Sequence, residues 1–465
     1  MPIRPQVLVP APLAALLRRF AAAADARGLA TALVGGAVRD LLLDREPLDL
    51  DISVAAEAPA VMELGQAIAG WFGTAMEAHD AFGTTSVKVP LDGREARLDL
   101  AMRRREGYLH PGALPDVSPG AWEDDLRRRD FTINALAWPL SGLGTPLNAA
   151  APLNTAASAG DFEAPLQLAA ADLLTAPHAL DDLAQGRLRV LHSESFMDDP
   201  TRLFRGARFA ARLDFRLEPG TERLATDAVR QGALASISPQ RLAHEVCLTA
   251  AEPQAFAAFR LLSHLGVWRT LLHGWAEPAA AAVRAADGGL SEALVADPGG
   301  VDRAVAHLLT WLAAGIHTAT DRRSVADAAA AWPRALGLQG RERSVLTAGL
   351  TRLPDLQTSL QSLGPDATPA AFDSWLAAEP PEVQAALYAL GRKGLRQALS
   401  RYWLALRERP VLVAGRDLAA LGWQPGPVYS AALGALRQQV LDGALEGRTS
   451  QLAWLEQHGP NFAGR

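Results

Sequence analysis

Residues 35–54 read GGAVRDLLLDREPLDLDISV. Aspartate is a poor strand former, yet Asp49 and Asp51 alternate with Leu48, Leu50, Ile52 and Val54. Strict alternation over 48–54 predicts a half-buried strand. Strand side chains alternate faces, so Asp49, Asp51 and Ser53 share one face and the apolar residues pack on the other. Carboxylates two residues apart lie ~7 Å from one another by strand rise and repel unless neutralised. A divalent cation between them relieves this. Oxygen-only ligation with few protein ligands suits Mg2+, which keeps waters and accepts substrate phosphates. RLDLAM at 97–102 places Asp99 in the same alternation. Three carboxylates on adjacent strands suit two-metal chemistry. A bare D-x-D also fits the solvated face of an edge strand, so its surroundings must decide.

Those surroundings are informative. Gly35-Gly36 breaks the preceding apolar run just ahead of a helical stretch, AVRDLLL. Free backbone N–H groups at such a helix start admit a phosphate. Arg39 follows one turn later. A phosphate-binding turn just before a metal-binding strand is a nucleotidyl-transfer arrangement.

The chain has 465 residues, which predicts about two to four domains. With 49% hydrophobic and 21% charged residues it can bury substantial cores. The N-terminus lacks the apolar region of a secretory signal. No segment supplies the ~20 apolar residues of a membrane helix. Cys247 is the single cysteine, which excludes an intramolecular disulfide and fits a reducing cytoplasm. A net charge of −6 does not suggest nucleic-acid binding by bulk charge, but local distribution matters more than the sum. Arginines cluster at 103–105, at 127–129 and from 202 to 216.

Periodicity predicts a helix over 11–28, a buried strand over 29–34 and a helix over 58–71. TTSVKVP and ARLDLAM read as two strands joined through Asp92-Gly93. YLHPGALPDVSPG, 108–120, reads as a loop. Residues 141–178, rich in Ala, Pro, Gly and Ser, read as an insertion, partly loop. Helical spacing dominates from about 179 onward. The fold class is α+β at the N-terminus followed by an all-helical remainder.

DDPTRLFRGARFAARLDF, 198–215, carries the second set of candidates. Asp199-Pro200 reads as a helix start, with Asp199 as N-cap and proline at the first helical position. Asp199, Arg202, Arg205, Arg208 and Arg212 then follow at helical spacing and form one polar face. Ordinary solvation would account for such a face. Four arginines with one acidic neighbour repel, however, and an anionic ligand with phosphate oxygens would relieve them.

Four motifs in collinear order, LVGGAVRDLLLDREPLDLDISV, DLRRRDFTINALAW, DDPTRLFRGARFAARLDF and SPQRLAHEV, resemble the class II tRNA nucleotidyltransferase and bacterial poly(A) polymerase family. The resemblance covers about residues 30–250. It implies a DNA polymerase β-like nucleotidyltransferase head with a small mixed sheet, followed by helical neck, body and tail. On that pattern the head spans 1–148, an insertion or linker 149–178, the neck 179–265, the body 266–400 and an RNA-binding tail 401–465. It implies that Asp49 and Asp51 hold Mg2+, that Asp99 assists as base or ligand, and that Gly36 and Arg39 hold phosphates. Arg129 contacts the nucleotide; Asp130 and Asn134 either join it there or serve only internal hydrogen bonding. Asp199 and Arg202 hydrogen-bond the incoming base as an amino-acid template, and Arg205 and Arg208 touch the nucleotide. C and A both present an amine beside an acceptor nitrogen, which accounts for CTP and ATP sharing one site. The implied partners are CTP, ATP and tRNA, cradled at its acceptor and TΨC arms, with no membrane.

Two departures qualify this. The family's usual Glu-Asp is Asp198-Asp199 here. No Arg or Lys lies between Tyr108 and Arg127, where CCA-adding relatives carry basic residues. CCA-adding, A-adding and CC-adding activities all stay open, with A addition slightly ahead. A poly(A) polymerase acting on mRNA and a non-enzymatic RNA-binding protein are the alternatives. His264, His273, His307 and His317 are isolated and read as packing or surface residues.

Overall fold

The computed structural model describes residues 4–47, 49–79, 83–107, 116–143, 165–296, 299–318, 322–364, 366–459 and 462. The chain divides into two compact units, Met1–Ile237 and Ser238–Arg465.

Among the described residues, thirteen strands belong to the first unit. They are β1 (Gln6–Leu8), β2 (Thr31–Val34), β3 (Asp49–Val54), β4 (Met76–His79), β5 (Thr84–Leu91), β6 (Arg94–Met102), β7 (Arg104–Gly107), β8 (Asp116–Pro119), β9 (Leu136–Pro139), β10 (Gln167–Ala169), β11 (Leu174–Thr175), β12 (Arg187–Leu188) and β13 (Arg216–Leu217). Seven form one mixed sheet in the order β11-β9-β2-β3-β6-β5-β4. Only β3–β6 is parallel among its pairings. The alternation read from 48–54 is realised from Asp49 onward; Leu48 lies outside the described residues. Leu50, Ile52 and Val54 are buried, whereas Asp49 and Asp51 are exposed on the other face.

The helices are α1 (Ala11–Asp25), α2 (Gly36–Leu42), α3 (Ala58–Phe72), α4 (Trp122–Arg127), α5 (Ala179–Gln185), α6 (Ser195–Asp198), α7 (Arg202–Leu213) and α8 (Pro219–Arg230). Val61, Leu64 and Ile68 of α3 are buried, at the i, i+3, i+7 spacing of an apolar stripe, and α3 packs on β5 and β6. The β5–β6 hairpin turns at Asp92 (φ 51°) and Gly93 (φ 75°), the paired positive φ values of a tight type I′ connection.

Three expectations change. Part of the 108–120 segment is strand: β8 pairs antiparallel with β7. Pro119 ends this isolated two-stranded ribbon, where its missing N–H breaks no ladder. Within 141–178, residues 144–164 lie outside the described residues. The later part of that stretch, 167–175, belongs to the first unit's sheets, since β10 pairs with β1 and β11 with β9. Third, α7 begins at Arg202, with Thr201 in the N-cap position. Asp199 ends α6 instead. Its Oδ1 accepts from the Thr201 N–H at 3.2 Å and the Thr201 hydroxyl at 2.7 Å. A carboxylate two residues ahead of an N–H closes an Asx turn, which competes with capping.

In the second unit every described element is a helix, from Pro239–Ala250 to Gly447–His458. Phe256, Phe259, Trp268 and Trp311 pack there with ring centroids 5.5–6.1 Å apart, offset and edge contacts that suit aromatic quadrupoles. His307 donates from Nδ1 to the Ala250 carbonyl, 2.9 Å away. The side chain of His317 lies outside the described residues.

Candidate active site

Two cavities open on the polar face of the seven-stranded sheet, and both are lined by Asp51, Arg128 and Arg129. The larger has a volume of about 560 Å³. Its walls come from the turn into α2, the start of β3, the loop after α4 and the inner face of α7.

The turn requires glycine at position 35, where φ is 69° and ψ −125°. A Cβ there would meet Arg129 Nη1 at 2.8 Å, so a side chain would displace that guanidinium. Gly36 opens α2, and Arg39 follows with only 4% of its surface exposed. Arg39 donates from Nη1 to Asn134 Oδ1 at 2.6 Å and pairs with Asp40 at 2.8 Å.

Asp130 is the hub of the site. Its Oδ1 accepts from the Phe131 N–H at 2.8 Å and from Asn134 Nδ2 at 2.9 Å. Its Oδ2 takes Arg205 Nε at 2.8 Å and Nη2 at 2.7 Å. Burial alone would raise this carboxyl, but Arg205, Asn134 and the Phe131 N–H hold it at about 2. One chain of contacts thus joins α2, the 3-10 turn Thr132–Asn134 and α7. The repulsion expected along the α7 arginines is relieved partly from within the protein, by Asp130. Phe209 completes the wall, with the guanidinium carbons of Arg39 and Arg205 5.3 and 5.6 Å from its ring centroid.

Asp125, fully buried in α4, pairs with Arg128 at 2.7 Å and Arg129 at 3.0 Å. Burial would raise its carboxyl, and Arg129 and Arg128 together hold it below the usual carboxylate range. Arg202, 4% exposed, donates to the Arg128 carbonyl at 2.9 Å and to the Ser195 hydroxyl. Asp199, Arg202 and Arg205 therefore line the same cavity as Gly36, Arg39, Asp49, Asp51 and Arg129. Arg208, buried on α7, is not among its lining residues.

Asp51 sits opposite Asp99 in the parallel β3–β6 register. It is open to the cavities, yet protein crowds around it. Burial pushes its carboxyl above the usual range, Arg129 and Arg205 oppose the rise, and Asp99 and Asp49 add to it. This excess of like charge is what a cation would relieve. The three carboxylates do not converge as a cage: Asp99 is bonded to Arg97 and Ser86, and no group of three or more His, Cys, Asp or Glu side chains poised for a metal occurs among the described residues. Asp49 and Asp51 fit an ion that draws its remaining ligands from water and phosphate.

Sequence reading named Asp49, Asp51, Asp99, Gly36, Arg39, Arg129, Asp199, Arg202, Arg205 and Arg208, and the fold brings all but Arg208 to the two cavities. It missed Asp125, Ser195, Phe209, Ser86 and Arg97. The spacing of Asp125 to Arg128 and Arg129, three and four residues on a helix, is a signal that could have found the first.

A family model described as the poly A polymerase head domain matches residues 31–143. The CC-adding tRNA nucleotidyltransferase of Deinococcus radiodurans is 34% identical over 431 residues, covering 91% of this chain and 89% of that protein. The chain belongs to the tRNA nucleotidyltransferase family. The A-adding tRNA nucleotidyltransferase of Halalkalibacterium halodurans is 37% identical over 242 residues, 52% of this chain. There the chain spans about half of its relative's length, 49%. Among solved structures, the Thermotoga maritima CCA-adding enzyme complexed with tRNA superposes with a TM-score of 0.67 at 24% identity, over 96% of this chain and 95% of that one. That likeness concerns the fold, an α+β head followed by helices. Nucleotidyltransferases of this family generally use a divalent metal. Among the described residues no helix is long and apolar enough to cross a membrane.

Proposed function

We propose that the protein adds nucleotides to the 3′ end of tRNA from CTP or ATP, without a nucleic-acid template, and releases pyrophosphate. The observation that carries this reading is the meeting of Asp49 and Asp51 with a row of arginines in one 560 Å³ cavity. Carboxylates supply the metal end of such a cavity and guanidinium groups the phosphate and base contacts.

In this reading Asp49 and Asp51 hold Mg2+, which would polarise the phosphate oxygens and favour ionisation of the attacking hydroxyl. Gly36 and Arg39 take phosphate oxygens at the start of α2. Arg129 and Arg205 hold the nucleotide between them, and their own partners Asp125 and Asp130 fix where they point. Asp199 accepts from the exocyclic amine of the base. Arg202 donates to a ring acceptor, and Ser195 and the Arg128 carbonyl set its angle. The helices of Ser238–Arg465 and the single cysteine fit an RNA-cradling partner region in a reducing cytoplasm.

CC addition is favoured over A addition, because the alignment to a CC-adding relative runs through both compact units. Residues 108–115, part of the stretch read from the sequence as a loop, lie outside the described residues. The test offers tRNA ending before CCA, after C and after CC, each with CTP, ATP or both. Growth by two residues with CTP, stopping there when ATP is present, supports CC addition. Addition of A to the CC-ended tRNA alone makes it an A-adding enzyme. Long tails on arbitrary RNA would replace the tRNA reading with that of a poly(A) polymerase.

A further inference from the structure

The pair assigned to the base, Asp199 and Arg202, stands on a short piece of chain. α6 is a single turn, Ser195–Asp198. Its first residue takes Arg202 Nη1 on both hydroxyl and carbonyl, and Asp199 follows its last. One helical turn does not hold itself together. Phe196, 2% exposed, anchors it from below. At its entry the Ser195 N–H donates to the His192 carbonyl at 3.3 Å and the Asp198 N–H to the Glu194 carbonyl at 2.8 Å. The His192 ring reaches back across the turn, with Nδ1 3.9 Å from Asp198 Oδ2. That is too long for a hydrogen bond, so a neutral ring gains little there, whereas a protonated ring pairs with the carboxylate. The two side chains are 39% and 31% exposed, so water can deliver the proton.

Arg202 gives that proton a consequence. Its guanidinium is buried, and its acceptors are all uncharged: the Ser195 hydroxyl and carbonyl and the Arg128 carbonyl. Among the described residues no carboxylate pairs with it. A buried cation without a counter-charge is sensitive to any second cation brought near. His192 is such a group. Burial and the Arg202 charge push its ring below the usual 6.5, while Asp198 and Glu194 pull the other way. On α8, which packs against α6, Glu218 is taken up by the Thr221 N–H at 2.9 Å and by Arg189 at 3.8 Å.

We infer that His192 is a positioning residue for base selection: its neutral ring leaves Arg202 seated on Ser195 and Arg128, and its protonated ring draws Asp198 to itself and unseats the guanidinium. The inference rests on the nucleotidyl-transfer reading and on Arg202 as the residue that reads the base. Coupling between two sites is reciprocal. If the seated Arg202 disfavours a proton on His192, that proton disfavours the seated Arg202 by the same factor. The sign follows: selection is intact while the ring is neutral and is lost as pH falls through the ring's own value, below 6.5.

The test measures kcat/KM on tRNA for the nucleotide the chain adds, CTP or ATP, and for its mismatched counterpart, UTP or GTP, from about pH 5.5 to about pH 8. The ratio of the two cancels titration of the triphosphate and of the metal site, which both substrates share. In the wild-type chain the ratio is expected to be flat down to about pH 7 and to fall about tenfold by about pH 5.5, inside the roughly 5–150-fold span of such couplings. His192→Gln cannot take a proton, and its ratio is expected to stay constant with pH. His192→Lys carries the charge throughout, and its ratio is expected to be low already at about pH 8. Asp198→Asn removes a group that favours the proton, so its fall is expected at lower pH than in the wild-type chain. Melting temperatures report that each variant is folded. A wild-type ratio that does not change with pH overturns the inference, as does a fall of equal size in His192→Gln or a wild-type ratio in folded His192→Lys. A wild-type chain that adds no nucleotide at about pH 8 overturns the nucleotidyl-transfer reading, and the inference with it.

Discussion

Replacing Asp130 with Asn keeps the shape of the side chain and removes its charge. The carboxylate accepts four hydrogen bonds, two of them from Arg205, and an amide puts an N–H2 against one of these donors. The wild-type carboxyl is held at about 2 rather than 3.8. At about 1.4 kcal/mol per tenfold change in proton affinity, that contributes about 2 kcal/mol at neutral pH. The sign follows from a depressed carboxyl. The contribution is full above pH ~4, is roughly half gone by pH ~3, and vanishes below pH ~2. The assay is amide hydrogen exchange of the segment around Phe131, whose N–H the carboxylate holds. It reads local opening without assuming that the two units unfold together. Asp130→Asn is expected to exchange about 30-fold faster there at pH 7, with the difference shrinking towards pH 3. Equal protection in both proteins at pH 7, or a difference independent of pH, would refute the reasoning.

Gly206 of α7 lies against Phe131, and an added Cβ would meet its Cζ at 2.9 Å. Gly206→Ala is expected to cost about 1–3 kcal/mol by overpacking, seen as a lower urea midpoint for the first unit. Gly35→Ala forces a strained φ and pushes on Arg129 Nη1; its nucleotide KM is expected to rise about tenfold or more, with little change at saturation. Arg202→Lys loses the paired contacts to Ser195 and the Arg128 carbonyl. Its kcat/KM is expected to fall about 10–100-fold, the range of one to two charge-assisted hydrogen bonds, with weaker discrimination against UTP and GTP.

Local pattern made the sheet legible. Alternation placed Asp49 and Asp51 on a strand face, and the Asp92-Gly93 turn marked the hairpin that brings Asp99 alongside. Helical spacing gathered the α7 arginines. It could not show that Arg202 and Arg208 are buried or that Arg205 pairs with Asp130, because those contacts join residues some 75 positions apart. Ser86 and Arg97 escaped notice for a like reason: the β5–β6 pairing brings Ser86 to Asp99, and neither residue type is chemically distinctive alone. The segment after 164 misled because an alanine-rich composition reads as linker, while its short strands draw their stability from β1 and β9. Pro119 misled because a proline rule for central strands does not apply at the end of a two-stranded ribbon.

The central claim is that Asp49 and Asp51 grip a divalent ion beside a triphosphate cavity. Purified chain, tRNA lacking its 3′ CCA, Mg2+ and labelled CTP or ATP test it directly, with the Asp49→Ala plus Asp51→Ala double variant alongside. Incorporation by the wild-type chain, lost on adding EDTA and reduced at least ~1000-fold in a double variant that still binds tRNA, is the expected result. Undiminished incorporation by the double variant would contradict the claim.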